Sequence, residues 1–284
     1  MSIQLNDGTS APGIAIGTGT ALYGKDASNA IALAIKAGFT HIDTAQMYRN
    51  EASVGEGIKQ SGADRSTLYV TTKLHAIPDG QTVKDTLVES LRKLQLDYVD
   101  LFLIHNPRDQ KDLADVWKQL EGVKAEGLTK SIGVSNFQPS HLKEVLAAGS
   151  IPPAVNQIEY HPYVFKASEG IIDIHKEHKI VGASYGGLTP IVRAPGKGIE
   201  PVLDSIVTRI AAEVGHPVTQ GQVLQLWLRK KGFIIVTTTS KVERLQEYLT
   251  VHSLPDITDE EEKEIDTTGS KVHFRQFMTW IDQQ

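Results

Sequence analysis

The chain has 284 residues, of which 40% are hydrophobic and 22% are charged, and it contains no cysteine. This length can bury one large α/β core, and the lack of cysteine excludes disulfides, thiolate nucleophiles and cysteine metal sites. The formal charge of −5 comes without a long block of lysine and arginine, which argues against a nucleic-acid or anionic membrane surface. We expect one domain over residues 1–284 that acts on a small molecule.

The first seven residues lack a basic region followed by an apolar run, and no stretch of about 18 apolar residues occurs. We therefore expect a cytoplasmic protein, able to reach the nucleus by diffusion, without a membrane or nucleic-acid partner. We also expect it to be a monomer.

The chain begins with a predicted hairpin and continues as alternating strands and helices. Ile3 and Leu5 lead into Asn6-Asp7-Gly8-Thr9, and the Asp-Gly pair is typical of a hairpin turn. We expect this hairpin to be a small lid outside the core. The predicted strands that follow are Ile14 to Gly17, Phe39 to Ile42, Leu68 to Thr72, Val99 to Ile104, Ser131 to Val134, Val155 to Ile158, Ile180 to Ala183 and Phe233 to Val236.

Helical periodicity fills the segments between these strands. The predicted helices are Ser28 to Ala37, Ala52 to Gln60, Val83 to Leu94, Leu113 to Glu126, Pro139 to Ala147, Ala167 to Glu177, two helices within Glu200 to Lys230 that divide near Gly215, and Lys241 to Thr250. In the third of these, Val83, Leu87, Val88, Leu91 and Leu94 form one predicted apolar stripe. Eight strand–helix units with fully apolar strands predict a closed parallel (β/α)8 barrel.

A doubly wound open sheet is the structural alternative. It normally carries a G-x-G-x-x-G turn after its first strand, and the segment that starts at Gly17 supplies only the first two glycines. In the barrel, we expect the loop over residues 186–198 to lie over the active face. We also expect a short helix over residues 260–264. After it, we expect a tail over residues 272–280 that returns to the barrel mouth.

The segment from Phe39 to Glu51 contains the first candidate for chemistry. Asp43 ends a buried strand, where a carboxylate without a cation would cost several kcal/mol or take up a proton. Asn50 has the residue type of a helix N-cap. The segment therefore predicts a positive partner for Asp43 elsewhere in the chain.

Three consecutive predicted strands end in polar residues, namely Asp43, Lys73 and His105, and Tyr48 lies in the loop after Asp43. Taken singly, they fit a turn residue, a surface lysine, a core histidine and a packing aromatic. Together at one barrel rim they predict that Asp43 neutralises Lys73 and that Lys73 lowers the pKa of the Tyr48 phenol from about 10. Such a phenol is a general acid, and His105 would orient or polarise the same oxygen. We expect no metal, since the ten histidines form no His-x-x-x-His pair.

The motifs around these residues resemble those of the aldo-keto reductase superfamily over nearly the whole chain. The matching motifs are His41-Ile42-Asp43-Thr44-Ala45 with Tyr48, Asn50 and Glu51, then Thr72-Lys73, Leu103-Ile104-His105-Asn106-Pro107, Gly133-Val134-Ser135-Asn136-Phe137 and Asn156-Gln157-Ile158-Glu159-Tyr160-His161-Pro162. The resemblance implies a (β/α)8 barrel that reduces aldehydes or ketones with NAD(P)H. It places a catalytic tetrad at Asp43, Tyr48, Lys73 and His105, with Tyr48 and His105 also touching substrate.

The same resemblance implies which residues hold the cofactor. Ser135, Asn136 and Gln157 would bind the carboxamide of the nicotinamide, and Tyr185 would stack on its ring. Further implied contacts come from Gly19, Thr20, Asp43, Gly187 and Leu188. At the adenosine end the implied contacts are Thr238, Thr239, Ser240, Lys241 and Arg244.

The chain departs from the family pattern at the adenosine end, where Thr238 replaces the usual lysine and Tyr248 the usual asparagine. Threonine, serine and cationic side chains at a helix N-terminus still suit a phosphate, so we expect NADPH, with NADH as a possible second cofactor. Ala21 in the first loop and the glycines after Tyr185 predict an open pocket. They resemble the fungal branch that reduces α-keto amides, conjugated polyketones, ketopantoyl lactone or indole-3-acetaldehyde.

Two other functions fit the sequence. One is a cofactor-binding regulatory subunit of the same fold with little catalysis, against which the intact tetrad argues. The other is a barrel hydrolase or aldolase in which Lys73 forms a Schiff base without a nicotinamide.

Overall fold

The computed structural model describes residues 2–239 and 241–283, and of Val242 only the backbone. Its strands are β1 Ser2–Gln4, β2 Ser10–Pro12, β3 Ile14–Gly17, β4 His41–Asp43, β5 Tyr69–Leu74, β6 Val99–Ile104, β7 Thr129–Ser135, β8 Val155–Glu159, β9 Val181–Tyr185 and β10 Ile234–Thr237. Its α-helices are α1 Ser28–Ala37, α2 Glu51–Ser61, α3 Val83–Leu94, α4 Leu113–Ala125, α5 Pro139–Ala148, α6 Glu169–His178, α7 Thr189–Val192, α8 Glu200–Val214, α9 Gln220–Lys230, α10 Val242–Thr250 and α11 Asp259–Gly269.

Strands β3 to β10 form a closed barrel in which every neighbouring pair is parallel, and β10 closes it by pairing with β3. The predicted (β/α)8 barrel is therefore confirmed. All eight predicted core strands are present, and their ends move by no more than two residues. The strands are almost entirely buried because helices cover the outside and side chains fill the inside.

Helix α3 shows how local sequence places a helix on the barrel. Thr82 and Asp85 form a capping box at its start, and Val83, Leu87 and Leu91 are buried. The prediction that Val88 belongs to this stripe is wrong, since Val88 is 47% exposed. Val88 follows Leu87 by one residue and therefore points about 100° away around the helix axis.

Among the described residues, no helix is both long and apolar enough to cross a membrane.

The amino-terminal hairpin of β1 and β2 closes the end of the barrel opposite the strand carboxyl ends. Leu5 and Ala11 pack in one cluster with Tyr69 and Val155, which are the first residues of β5 and β8. Gly8 in the turn has φ +86°, as the predicted Asp-Gly turn requires. The predicted lid is therefore at the base of the barrel, away from the carboxyl-end rim.

The segments at the carboxyl end differ from the sequence prediction in two details. The loop over residues 186–198 contains the short helix α7, and the short helix predicted over residues 260–264 extends over the whole of α11. After α11, the tail returns to the barrel mouth, as predicted, and Phe277 and Met278 line the cavity there.

Candidate active site

A cavity of about 610 Å³ opens at the carboxyl ends of the barrel strands. Barrels of this kind place ligands there because the loops after each strand meet at that rim. The residues that line it include Gly19, Thr20, Asp43, Tyr48, His105, Ser135, Asn136, Gln157, Tyr185, Gly187, Leu188, Thr238 and Arg244. Most of the predicted site residues are thus brought together at one cavity.

Asp43, the last residue of β4, forms a buried ion pair with Lys73 of β5. The Lys73 Nζ lies 2.5 Å from Asp43 Oδ1 and donates a second hydrogen bond to the Thr44 carbonyl oxygen at 3.0 Å. Burial is the largest single influence and opposes the charge on Lys73, but the attraction and hydrogen bonds of Asp43 and Tyr48 together outweigh it, so the pKa of Lys73 is raised. The cation that Asp43 was predicted to need is therefore Lys73.

Tyr48 ends a short 3₁₀ turn over Gln46–Tyr48, and the Lys73 Nζ lies 5.1 Å from the centroid of its ring. The prediction that Lys73 lowers the phenol pKa below its ordinary value is wrong for the net effect. Burial raises the pKa of Tyr48 more than the charge of Lys73 lowers it, so the pKa lies above 10.0. Tyr48 consequently keeps its proton throughout the neutral pH range.

The Tyr48 phenol is confined by its neighbours. A Cβ on Gly19 would lie 3.0 Å from Tyr48 Cζ and 3.2 Å from its hydroxyl oxygen. On the other side of the turn, the Gln46 side chain donates to Ser90 Oγ at 3.0 Å and accepts from the His75 N–H at 2.9 Å. The loop that carries Tyr48 is therefore fixed at both ends of the turn.

Asn50 precedes helix α2 at the N-cap position, but its side chain makes no capping hydrogen bond. Its amide instead donates to the carbonyl oxygens of Thr18 and Leu22, both at 2.9 Å. The predicted cap role of this side chain is wrong, because the loop after β3 offers it buried carbonyl partners. Asn50 thereby ties the loop that contains Gly19 to the loop that contains Tyr48.

His105 follows β6 and faces Tyr48, with ring centroids 5.4 Å apart and ring planes at 83°. Burial, with a further contribution from the Lys73 charge, holds the pKa of His105 well below 6.5. The imidazole is therefore neutral at neutral pH. Its Nδ1 is buried without a hydrogen-bond partner in the part of the chain that the structure describes.

The residues implied to bind the carboxamide are linked by hydrogen bonds across β7, β8 and β9. Gln157 Nε2 donates to Asp43 Oδ2 at 2.7 Å, and Ser135 Oγ donates to the Gln157 carbonyl oxygen at 2.7 Å. The Tyr185 hydroxyl donates to Asn136 Oδ1 at 2.6 Å. These contacts place amide and hydroxyl groups beside the Asp43–Lys73 pair.

At the far end of the cavity the structure brings together only some of the residues that the resemblance implies for the adenosine end. Thr238 and Arg244 line the cavity, whereas Thr239 and Lys241 do not. Thr239 is buried and accepts a hydrogen bond from the Lys241 N–H at 3.0 Å, so its hydroxyl turns toward the start of α10. Ser240 lies outside the described residues.

Several cavity residues were not named individually in the sequence prediction, although those between 186 and 193 and Met278 lie in the loop and the tail that were predicted to reach this face. They are Gly17, Tyr23, Met47, Gly186, Thr189, Val192, Arg193, Val236, Thr237, Tyr248 and Met278. Their common signal is position, since most lie within a few residues of a strand carboxyl end. Phe277 of the carboxyl-terminal tail also lines the cavity.

Comparisons with known proteins identify the family of this chain. The profile of the Aldo/keto reductase family matches residues 13–269. The chain is 36% identical to an NAD/NADP-dependent indole-3-acetaldehyde reductase of Schizosaccharomyces pombe, over 97% of this chain and 98% of that protein. It is 32% identical to an NADPH-dependent alpha-keto amide reductase of Saccharomyces cerevisiae, over 93% of this chain and 89% of that protein.

A crystal structure of a Bombyx mori aldo-keto reductase in complex with NADP superposes with a TM-score of 0.83 at 29% identity, covering 99% of this chain and 97% of that one. The resemblance predicted from the motifs is confirmed, and relatives from the suspected fungal branch are among the matches. The chain belongs to the Aldo/keto reductase family.

Proposed function

We propose that this protein is an NADPH-dependent carbonyl reductase that reduces aldehydes and ketones to alcohols, with Tyr48 as the general acid. The observation that carries the proposal is the buried Asp43–Lys73 ion pair beside Tyr48, with neutral His105 facing the same phenol. A protonated phenol and a neutral imidazole at one point of a cavity are two donors that can converge on one carbonyl oxygen.

Each residue has a separate task in this proposal. Tyr48, kept protonated by burial, gives its proton to the oxygen of the substrate as negative charge develops there. Lys73 places a positive charge near the phenol and so favours the phenolate that remains. Asp43 holds Lys73 in its charged form, and His105 donates a hydrogen bond that orients the carbonyl group.

The hydrogen-bonding side chains of the cavity suit a nicotinamide dinucleotide. Ser135, Asn136 and Gln157 present the donors and acceptors that a carboxamide needs, and they lie beside the tetrad. Tyr185 offers a ring face in the same place. The reduced cofactor, when bound, supplies the hydride, and the protein supplies orientation and the proton.

NADPH is proposed over NADH because of the far end of the cavity. Arg244 lines it, is exposed, and makes no ion pair with any described residue. A guanidinium at a helix start suits the extra phosphate of NADPH. Thr238 stands where the family pattern has a lysine, which reduces the discrimination between NADPH and NADH. We therefore also propose slower use of NADH.

The proposed substrates are α-keto carbonyl compounds and aryl aldehydes such as indole-3-acetaldehyde. The rim beside Tyr48 carries Tyr23 and Met47, which are 44% and 36% exposed. Large apolar groups at the mouth favour a substrate with an aromatic or aliphatic body next to its carbonyl group. The single domain, the monomeric state and the cytoplasmic location remain part of the proposal.

The test is NADPH consumption, followed at the nicotinamide absorbance, with a panel of keto amides, diketones and aryl aldehydes. The proposal expects turnover with at least one class, and slower turnover when NADH replaces NADPH. Tight NADPH binding without turnover of any class would instead support the regulatory-subunit alternative. Trapping of a substrate on Lys73 by borohydride would support the Schiff-base alternative, against which the full burial and raised pKa of Lys73 argue.

A further inference from the structure

Glu159, the last residue of β8, is a carboxylate that none of the steps above uses. Its side chain is buried, with 1% of the residue exposed, and it has no lysine or arginine partner among the described residues. An ionised carboxylate in such a place needs several hydrogen-bond donors to be tolerated.

Three N–H groups supply them. The backbone N–H of Gln276 donates to Glu159 Oε1 at 2.8 Å, and that of Phe277 donates to Oε2 at 2.8 Å. The third donor is His161 Nε2, at 3.0 Å from Oε1. His161 Nδ1 accepts a hydrogen bond from the Tyr163 N–H at 3.2 Å, so the proton of the neutral ring is on Nε2.

The two backbone donors belong to the tail that forms one wall of the cavity. The Phe277 ring packs edge-on against Tyr185, with centroids 5.7 Å apart. Met278 has φ +49°, and its sulfur accepts a hydrogen bond from Asn106 Nδ2 at 3.7 Å. The tail thus spans from Tyr185 to the residue after His105, which is the side of the cavity where the carbonyl substrate is proposed to react.

We propose that Glu159 is a positioning residue that sets the shape of the substrate site by holding residues 276–278 in place through their backbone. The inference rests on the proposed reductase function, since it concerns the substrate side of that same cavity. Both carboxylate oxygens are needed, because each accepts from a different tail N–H. Glutamine keeps one acceptor and turns an NH₂ group toward a backbone N–H, so it cannot hold both.

The test compares Glu159→Gln, Phe277→Ala and the double variant in the full-length protein. In Glu159→Gln one of the two tail N–H groups loses its acceptor, and we expect hydrogen exchange at Gln276 and Phe277 to accelerate at least about tenfold. For a bulky aryl substrate we expect KM to rise about tenfold while kcat and the NADPH Kd change by less than about threefold. In the Phe277→Ala background, Glu159→Gln should change KM by less than about twofold.

Asp100→Asn is the matched control, since Asp100 is also a buried carboxylate but binds Arg65 and the Val70 N–H, away from the cavity. Asp100→Asn should lower the melting temperature without changing the hydrogen exchange of Gln276 and Phe277 or the KM. Glu159→Asp keeps the charge on a shorter arm and should give smaller changes in the same direction, which keeps the test decisive if the glutamine variant does not fold. The role of Glu159 would be overturned if Glu159→Gln left hydrogen exchange at Gln276 and Phe277 or the KM unchanged. It would also be overturned if the effects of Glu159→Gln and Phe277→Ala on KM were additive. Absence of turnover in the unmodified protein would instead overturn the proposed function.

Discussion

The Lys73 ammonium and the Asp43 carboxylate meet at 2.5 Å, and both side chains are at most 3% exposed. Such a pair is costly to bury and costly to break, because either partner alone is an uncompensated charge in the barrel interior. Its position at the ends of β4 and β5 places a fixed positive charge 5.1 Å from the Tyr48 ring centroid. The pair therefore links the stability of the barrel to the proposed proton donor.

Breaking this pair should destabilise the protein strongly. Asp43→Asn leaves Lys73 buried without its anion, and we expect the free energy of unfolding to fall by about 3–5 kcal/mol. The double variant Asp43→Asn/Lys73→Met should be less destabilised than the two single changes added together. Denaturant unfolding of all three variants measures this. As a control, Lys111→Met breaks an exposed pair with Asp79 and should cost less than about 1 kcal/mol. Additive effects of the two buried changes would contradict the pairing.

Buried histidines predict a loss of stability in acid. Burial lowers the pKa of His175 to about 4, whereas the unfolded chain has a pKa near 6.5. Below pH 6.5 the unfolded state binds the proton and the folded state does not, so stability falls as pH falls from 6.5 to 4.

The contribution of His175 over that range is at most about 3 kcal/mol. We expect His175→Gln to flatten the dependence of the unfolding free energy on pH, measured by denaturant titration between pH 4 and 7. The exposed His216→Gln serves as the comparison and should leave the slope unchanged. Equal slopes in the His175 variant and the unmodified protein would refute the assignment.

Arg244 should determine the preference between the two cofactors. Loss of a charge-assisted contact costs about 1.5–3 kcal/mol, so Arg244→Ala should raise the NADPH Kd about tenfold or more and the NADH Kd by less than about twofold. Fluorescence titration with both cofactors measures the ratio. Lys241→Ala is the control from the same helix start, since Lys241 does not line the cavity, and its effect should be smaller. An equal loss for NADPH and NADH in the Arg244 variant would rule out a phosphate contact.

Gly19 should be intolerant of a methyl group. The new Cβ would lie 3.0 Å from Tyr48 Cζ, so the phenol must move by a few tenths of an ångström. Because small displacements of a reacting group cost large factors in rate, we expect Gly19→Ala to lower kcat about tenfold. Gly122→Ala adds the same methyl group where no atom lies within 4 Å, and its kcat should be unchanged. A normal kcat for the Gly19 variant would show that the phenol is not held there.

The sequence was sufficient for the barrel and for the four residues at its rim, because periodic apolar strands and polar strand ends follow from local chemistry. It did not predict the sign of the Tyr48 pKa shift. The sequence identifies Lys73 as a cation near Tyr48, but whether the pKa of the phenol rises or falls depends on how deeply the phenol is buried.

The Asn50 side chain and the Glu159–tail contact were missed for a related reason. Their partners lie 28 residues or more away along the chain, as with Leu22 for Asn50 and Phe277 for Glu159. Residue type alone suggested a helix cap for Asn50. Only the folded structure shows that the Asn50 amide donates to buried carbonyl oxygens and that the Glu159 carboxylate accepts from backbone N–H groups of the tail.

The rate of carbonyl reduction by Tyr48→Phe, with NADPH in excess, tests directly whether Tyr48 is the general acid. Without the phenolic proton we expect kcat to fall by a factor of about 10²–10⁴. The NADPH Kd should stay within about twofold, since the hydroxyl alone is removed and the ring remains beside Lys73. A kcat near that of the unmodified protein would contradict Tyr48 as the general acid.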